Sequence, residues 1–321
     1  MTDNARVLFL RPFTFQEIIS ALVLIPIIYF LFMHAVPGFK DHLLEAALYA
    51  SATGAVGFVL GFLAKYILVK PAVEALDRGS PDPDQLLGAA RSASIMPLTE
   101  AIIVFLRWSL TAIIMCVVPF YMQDFIDLNS ALFGANALVM TALSIAPFYY
   151  LAAENSLFPF YMQNDLKGII DEGSGLFRMS LNRKLLLTIL LIAVPPIGNL
   201  LGLIYLSINS GLKLESIQFA FLLIIVQTVI MTLLNSYLIM KSLKVSVGRM
   251  SFMLKDMARG QGDLTKRLEV TGLNEVGELA FWFNSFMNDI ERIVSHVRET
   301  SLELHQAIED VSIGSQDLSQ S

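Results

Sequence analysis

Six apolar runs occupy most of the first 240 residues, and each is long enough to cross a membrane as an α-helix. Short polar segments separate the runs, so the chain is expected to pass through the membrane six times. We place the spans at about 16–35, 43–69, 106–123, 131–158, 184–207 and 216–240. After residue 240 the long runs stop, and apolar positions recur in steps of three and four. The pattern predicts an all-α protein with a membrane part and a coiled-coil part.

The six runs are similar in pairs, which indicates a helical hairpin repeated three times. A proline recurs in the first helix of each pair, at Pro26, Pro119 and Pro196. Twelve residues before these prolines stand Thr14, Arg107 and Lys184. Proline lacks a backbone donor and clashes with the preceding turn, so we predict that the three prolines kink their helices. The kinks either shape a cavity or serve the packing alone.

Polar residues interrupt the predicted spans near their inner ends, at Lys65, Arg107, Glu154, Asn155 and Asn235. Ionisable groups inside a membrane are costly unless they pair or line a cavity. We predict that Arg107 and Glu154 form an ion pair with a structural role, and the alternative is a ligand or proton site. Lys65 is expected to extend its amine to the lipid headgroups.

Lysine and arginine are concentrated before the first span, after the sixth span, and in the second and fourth loops. By the positive-inside rule, both termini then lie in the cytoplasm. The three outer loops are too short to fold into a domain. A stimulus is therefore expected to act in or at the membrane or to be delivered by another membrane protein. A membrane lipid or another lipophilic ligand such as a fatty acid fits the first expectation.

Two helices with heptad spacing follow the spans. The apolar positions of the first are Leu243, Val247, Met250, Leu254 and Met257. Those of the second, which we call the seam, are Val276, Leu279, Phe283, Phe286, Ile290 and Ile293. Both apolar faces need partner helices, and the same two helices of a second copy are the simplest partners.

The connector between these helices, and the start of the second one, resemble a HAMP domain, the parallel four-helix dimeric relay of bacterial membrane receptors. The matching segments are Gly262-Asp263-Leu264-Thr265-Lys266-Arg267-Leu268 and Asn274-Glu275-Val276-Gly277-Glu278-Leu279-Ala280. The relay residues that we predict from them are Gly262, Leu264, Leu268, Glu275 and Gly277. The resemblance implies a homodimer in which residues 241–293 pass a conformational change to an output region. An ordinary coiled-coil linker is the alternative.

The residues after the relay resemble the start of the signalling rod of methyl-accepting chemotaxis receptors. Segments 293–301 and 313–319 carry the resemblance and continue the heptad pattern. It implies a bacterial inner-membrane location, and a chemotaxis kinase and its coupling protein as partners through a region beyond Ser321. We therefore expect a six-helix sensor at 1–240, the HAMP relay at 241–293 and the beginning of a truncated coiled coil at 294–321.

The expected function is that of a membrane sensor and signal transducer of the chemoreceptor type, which is not itself an enzyme. The alternative is a membrane anchor and regulatory module of a histidine kinase or a nucleotide cyclase. Of the 321 residues, 55% are hydrophobic and 16% are charged, as suits a polytopic membrane protein. The net charge of −6 argues against a nucleic-acid partner. The sequence has no recognisable catalytic or metal-binding motif, so no cofactor is expected.

Overall fold

The computed structural model describes residues 11–77, 83–118, 120–121, 126–157, 160, 175–259, 264–265, 267–268 and 275–320. Within these residues, six helical segments are long and apolar enough to cross a membrane. They are span 1, Phe13–Ala35; span 2, Phe39–Glu74; span 3, Asp84–Val117; span 4, Leu128–Ser156; span 5, Leu181–Ser210; and span 6, Leu214–Lys244. The prediction of six helices that are long and apolar enough to cross a membrane is confirmed, and they fit a multi-pass helical membrane protein.

All regular secondary structure in the described ranges is helical. The α-helices are Arg11–Ile19, Ile25–Ala35, Leu43–Asp77, Pro83–Ala112, Leu128–Ser156, Leu181–Ser210, Leu214–Arg259 and Glu275–Gln320. π-helical turns occur at Ser20–Leu24 and Ile113–Val117, and a 3₁₀ turn occurs at Phe39–His42.

Span 3 begins well before its predicted start at residue 106. Its helix starts at Pro83, and its first turns bury Leu86, Ala90 and Ala93. Two features lower the hydrophobicity of this stretch in the sequence: the charged residues Asp84, Arg91 and Glu100, and alanines in place of the large apolar residues typical of a span. The predicted start is therefore wrong, because the helix buries a face of small residues that a search for long apolar runs does not detect.

The prolines of spans 1 and 5 lie in different local geometries. Span 1 changes to a π-helical turn at Ser20–Leu24, directly before the helix Ile25–Ala35 that carries Pro26 near its start. The wider turn keeps the proline ring away from the carbonyl that it would otherwise meet. In span 5 the α-helix runs through Pro196 without such a turn. Pro119 lies outside the described residues, so the threefold hairpin repeat stays a prediction.

Span 4 forms the centre of the membrane part. In its most apolar stretch 67% of the residues are buried, a larger share than in the other five spans. It packs against spans 1, 3 and 5. Small residues on span 4 allow this close packing. A Cβ at Gly134, for example, would lie only 2.8 Å from Cys116 Sγ and 2.9 Å from the ring of Phe32. Span 4 therefore holds its neighbours in place.

The chain divides into two compact units, Met1–Leu243 and Lys244–Ser321, which we call the membrane unit and the second unit. The second unit contains the end of the helix Leu214–Arg259, the described part of the connector, and the helix Glu275–Gln320. The latter helix runs without a break through residues 293 and 294, where we predict a boundary between relay and coiled coil.

Candidate functional site

Lys65 is buried in a cluster of polar groups that joins four spans. Its side chain is 1% exposed, and its Nζ lies 2.8 Å from Oε1 of Glu100 on span 3. The same amine donates to Oε1 of Gln16 on span 1 at 2.9 Å. The Gln16 amide donates in turn to Glu100 Oε2 at 2.9 Å and to the Tyr149 carbonyl at 3.0 Å. The prediction that Lys65 extends to the headgroups is therefore wrong, because span 3 supplies a buried counter-ion.

Arg107 forms a second ion pair about two helical turns after Glu100 on span 3, and this pair joins span 3 to span 1. Its Nη1 donates to Glu17 Oε1 at 2.8 Å, and its Nη2 donates to the Tyr149 hydroxyl at 3.2 Å. That hydroxyl donates to Glu17 Oε1 at 3.0 Å, which closes a three-membered network. The predicted pair between Arg107 and Glu154 is therefore wrong. Arg107 finds its carboxylate on span 1, not on span 4.

Glu154 instead pairs with Lys184 at the start of span 5. The Lys184 amine donates to both carboxylate oxygens, at 2.5 and 2.7 Å, and the Lys184 side chain is almost fully buried. Together with Lys65–Glu100 and Arg107–Glu17, this pair makes three ion pairs between different spans. All three connect helices of different predicted hairpins, so they stabilise the arrangement of the hairpins and not the hairpins themselves.

The two asparagines of the predicted polar set make uncharged contacts. Asn155 of span 4 donates through Nδ2 to the Leu238 carbonyl of span 6 at 3.3 Å. Asn235 is fully buried and donates to the Met231 carbonyl of its own helix at 2.8 Å. Asn155 therefore helps to hold span 6 against span 4, whereas Asn235 satisfies a local backbone group.

Span 2 approaches span 3 closely at Gly57, beside the Arg107 network. A Cβ at Gly57 would overlap Cγ and Cδ of Arg107. The Arg107 side chain cannot simply move away, because its guanidinium is held by Glu17 and Tyr149. The glycine is therefore required for the ion pair between spans 1 and 3.

We expect Gly57→Leu to displace Arg107 and to lower the free energy of unfolding by about 1–3 kcal/mol, the usual cost of overpacking a core. Thermal unfolding in detergent micelles, followed by circular dichroism, measures the effect. Gly88→Leu is the matched control, since a Cβ at Gly88 meets nothing within 4 Å. Equal stability of the two variants would contradict the role assigned to Gly57.

A cavity of about 360 Å³ lies beside Arg107 and Glu17, between spans 1, 2 and 3. Most of its lining side chains are apolar, and both π-helical turns contribute residues to it: Ser20 and Ala21 from span 1, and Met115 from span 3. Pro196 of span 5 does not line this cavity. Such a volume is at the small end of the range for ligand pockets, roughly 300–1,000 Å³.

In the second unit, the connector packs on the helix Glu275–Gln320 through Leu268. This side chain is 1% exposed. Its backbone N–H donates to Asn284 Oδ1 at 2.7 Å, and Asn284 Nδ2 donates back to the Leu268 carbonyl at 2.9 Å. Asn284 thus provides the two hydrogen bonds that a neighbouring strand would supply. Leu264 is partly buried, and Gly262 lies outside the described residues.

Arg267 fastens the same connector to the helix one turn further along. Its guanidinium lies 2.6 Å from Glu291 Oε2 and donates to Asn288 Oδ1 at 2.7 and 3.0 Å. It also donates to the Leu264 carbonyl. Asn284, Asn288 and Glu291 were not predicted from the sequence. Their spacing of four and three residues, which places them on one helix face, was the signal that could have found them.

Glu275 and Gly277 lie at the start of that helix. Glu275 is its first residue and is exposed, while Gly277 is buried. A carboxylate at a helix start is favoured by the helix dipole. Both positions are compatible with the relay roles predicted for them, which remain predictions.

The seam leaves a long apolar face uncovered in the single chain. Three members of the seam, Leu279, Phe286 and Ile293, have between 54% and 62% of their surface exposed, and the other three are partly buried. Soluble helices seldom leave so many large apolar residues in a row in water. The face that binds the connector lies beside this seam and carries the buried residues Ala280 and Met287.

Comparison with known proteins gives short matches only. A segment of 46 residues is 52% identical to the methyl-accepting chemotaxis protein TlpQ of Pseudomonas aeruginosa, which covers 14% of this chain and 6% of that protein. The protein PctB of the same organism is 46% identical over 52 residues, or 16% of this chain and 8% of its own length. McpA of Pseudomonas putida is 41% identical over 58 residues, or 18% and 9%.

No family model and no solved structure matches the chain. The matched segment spans less than a tenth of the length of these three relatives. The chain is thus partly related to methyl-accepting chemotaxis proteins, and this relationship supports a transducer of the chemoreceptor type.

Proposed function

We propose that this chain is the membrane sensor and relay of a chemoreceptor-type transducer. A stimulus acts within the membrane unit, and a homodimeric HAMP relay carries the conformational change through the second unit towards a chemotaxis kinase and its coupling protein. Both termini lie in the cytoplasm, and the chain has no catalytic activity of its own. The observation that carries the proposal is the exposed seam beside a docked connector, together with the similarity to methyl-accepting chemotaxis proteins.

The physical chemistry of the seam supports the proposal of a dimer. Burying apolar surface contributes roughly 25 cal/mol for each Å² removed from water, and the seam repeats over several helical turns. Heptad spacing allows the same face of a second copy to interdigitate with it. The neighbouring face is already covered by the connector, so the seam is the surface available to a partner helix.

The membrane unit contains groups that can respond to a stimulus. Arg107, Glu17 and Tyr149 form a hydrogen-bonded network that borders the cavity. A ligand that contacts this network in one of two arrangements of spans 1 and 3 would shift the equilibrium between them. The sixth span precedes the relay directly in the chain, which provides the covalent route for the signal.

We expect a disulfide to form across the dimer at Ile293→Cys when the protein is oxidised in native membranes. The background carries Cys116→Ala, since Cys116 is the one cysteine of the sequence. Arg292→Cys is the matched control, because it is the neighbouring residue, is well exposed and lies off the seam. On denaturing gels, the covalent dimer should appear at least about tenfold faster for Ile293→Cys than for Arg292→Cys. Equal rates for the two variants would show that the seam is not part of the dimer interface.

Coupling is tested in the same background by Glu17→Gln, which weakens the ion pair to Arg107. If the membrane unit controls the relay, this substitution changes the rate of disulfide formation at Ile293→Cys by several-fold. Glu74→Gln is the control, since Glu74 pairs with Lys70 on the surface of its own helix. If the crosslinking rate is the same in the parent and in the Glu17→Gln protein, the two copies still dimerise. The proposed transduction from the membrane unit to the relay is then contradicted.

A further inference from the structure

The cavity between spans 1, 2 and 3 is long and narrow, and it follows span 1. The lining residues of that span recur every three or four positions from Glu17 to Phe32, so they form one stripe along the helix. At a rise of about 1.5 Å per residue, this stripe is roughly 20 Å long. A cavity of about 360 Å³ that extends so far along one helix suits a single extended chain.

The two ends of the cavity differ in chemistry. Glu17 and Arg107 border one end, and Tyr29, Phe32 and Phe39 border the other. The rings at the second end pack on one another, with the centroid of Phe39 5.9 Å from that of Tyr29 and 5.4 Å from that of Phe32. A molecule that fits both ends has a polar head and an apolar chain.

The cavity opens to the outside of the bundle between spans 1 and 2. Span 2 packs mainly on span 3 and leaves room beside span 1. Ile25 of span 1 and Phe58 of span 2 line the cavity and are also 50% and 43% exposed. A lipophilic molecule dissolved in the membrane therefore has a lateral entrance.

Glu17 and Ser20 give the polar end free hydrogen-bonding capacity. Both hydrogen bonds that Glu17 accepts from the described residues end on its Oε1. Its Oε2 is not one of the fully buried atoms, and the side chain, which lines the cavity, is 19% exposed. Ser20 also lines the cavity, three residues further on the same helix face. The Ser20 hydroxyl has no partner in the described part of the chain, and it is not fully buried either.

A hydroxyl group on the ligand matches both of these side chains. It donates to Glu17 Oε2 and accepts from the Ser20 hydroxyl. A carboxylate head only accepts hydrogen bonds, and it would place a second negative charge beside Glu17. An ammonium head only donates, and it would lie near Arg107, whose charge is already balanced by Glu17 at 2.8 Å. The cavity therefore favours an uncharged head that is both donor and acceptor.

We infer that this cavity binds a single-chain, uncharged amphiphile with a hydroxyl head, of the fatty-alcohol class, which enters from the membrane. This inference rests on the proposed function and specifies its stimulus, which is not a fatty-acid anion. The head meets Glu17, and Glu17 holds Arg107 in the ion pair between spans 1 and 3. The π-helical turns of the same two spans also border the cavity. Binding is thereby connected to the arrangement of two membrane helices.

Competition between head groups tests the chemistry of the site. The full chain in lipid nanodiscs is photo-labelled with dodecanol that carries a diazirine in its chain, and labelled peptides of spans 1 and 2 are quantified. Dodecanol, dodecane, dodecanoate and dodecylammonium, which have equal carbon number, serve as competitors. With concentrations corrected for partition into the lipid, dodecanol should compete at about tenfold lower concentration than the other three.

Two substitutions with matched controls locate the binding. Ser20→Ala removes one partner of the head and should weaken competition by dodecanol about fivefold, whereas Ser51→Ala, at an exposed position of span 2, should not change it. Gly54 lines the cavity and Gly88 does not, and a Cβ at either glycine meets nothing within 4 Å. Gly54→Leu should therefore abolish saturable labelling, whereas Gly88→Leu should not. Gel filtration and circular dichroism establish that each variant is folded.

Glu17→Gln should reverse the order of the competitors. The amide no longer repels an anion, and Arg107 is left without its counter-ion, so dodecanoate should then compete about tenfold better than dodecanol. A variant that had lost its fold would bind none of the four molecules. The reversal therefore distinguishes a binding role of Glu17 from a purely structural one.

Each other outcome is decisive. Equal competition by dodecanol and dodecane would remove the role of the hydroxyl head, and a preference of the unaltered chain for dodecanoate or dodecylammonium would overturn the charge argument. Absence of saturable labelling would show that the cavity is not a ligand site, even if Ile293→Cys still crosslinks and responds to Glu17→Gln. Conversely, dodecanol binding that leaves the crosslinking rate unchanged would support the site and contradict the proposed transduction.

Discussion

Lys65→Met should lower the free energy of unfolding of the membrane unit by about 3–5 kcal/mol, because it leaves the Glu100 carboxylate buried without a counter-ion. Glu100→Gln should have a similar effect, since the amine of Lys65 then loses its charged partner at 2.8 Å. The double variant removes both charges, so it should be more stable than the sum of the single effects predicts. Chemical unfolding in mixed micelles measures all three.

Lys70→Met is the matched control for this prediction. Lys70 is on the same helix and also pairs with a glutamate, Glu74, at 3.7 Å, but its side chain is 54% exposed. Pairs of this exposed i,i+4 kind contribute about 0.3–0.5 kcal/mol. Comparable losses for Lys65→Met and Lys70→Met, or strictly additive effects of Lys65→Met and Glu100→Gln, would show that the buried pair does not hold spans 2 and 3 together.

Leu268→Ala should detach the connector from the helix Glu275–Gln320 and destabilise this packing by about 2–5 kcal/mol, as expected for a buried leucine. Asn284→Ala acts on the same contact through the backbone. It removes two hydrogen bonds and should cost about 1–3 kcal/mol. Amide hydrogen exchange at Leu268 and its neighbours should therefore accelerate by roughly tenfold to a hundredfold in Asn284→Ala.

Leu302→Ala is the control for both substitutions, because Leu302 lies further along the same helix and is well exposed. Its expected effect is within about 0.5 kcal/mol. In the proposed relay, release of the connector also changes the rate of disulfide formation at Ile293→Cys. Slow exchange at Leu268 in the Asn284→Ala protein would mean that other contacts hold the connector, and Asn284 would then have no part in the relay.

The hydrophobic pattern was sufficient to find the six helices of the described residues that are long and apolar enough to cross a membrane, because a run of about twenty apolar residues has few alternatives to a membrane helix. The same criterion placed the start of span 3 too late. Leu86, Ala90 and Ala93 form a buried face in turns that also carry polar residues such as Gln85 and Arg91, and that periodic pattern is weaker than a continuous apolar run.

The pairing of the charges was less predictable. Arg107 and Glu154 are both on sequential spans at similar estimated depth, which made them plausible partners, yet each binds a residue of another helix. Sequence position restricts how deep a side chain lies, but the direction in which it points depends on how the helices are rotated and ordered around span 4. Glu17 and Glu100, which the prediction did not use, were visible as acidic residues in or near apolar runs.

By itself, the sequence determined the helical class, the number of spans and the heptad seam. All three depend on interactions with solvent or lipid that repeat locally along the chain. Only the tertiary structure decided that Lys65 binds Glu100, that Gly57 accommodates Arg107, and that Asn284 holds Leu268. It also placed the cavity beside Arg107. These contacts join residues distant in sequence, and they form only when the packing of whole helices brings particular side chains within a few ångströms of each other.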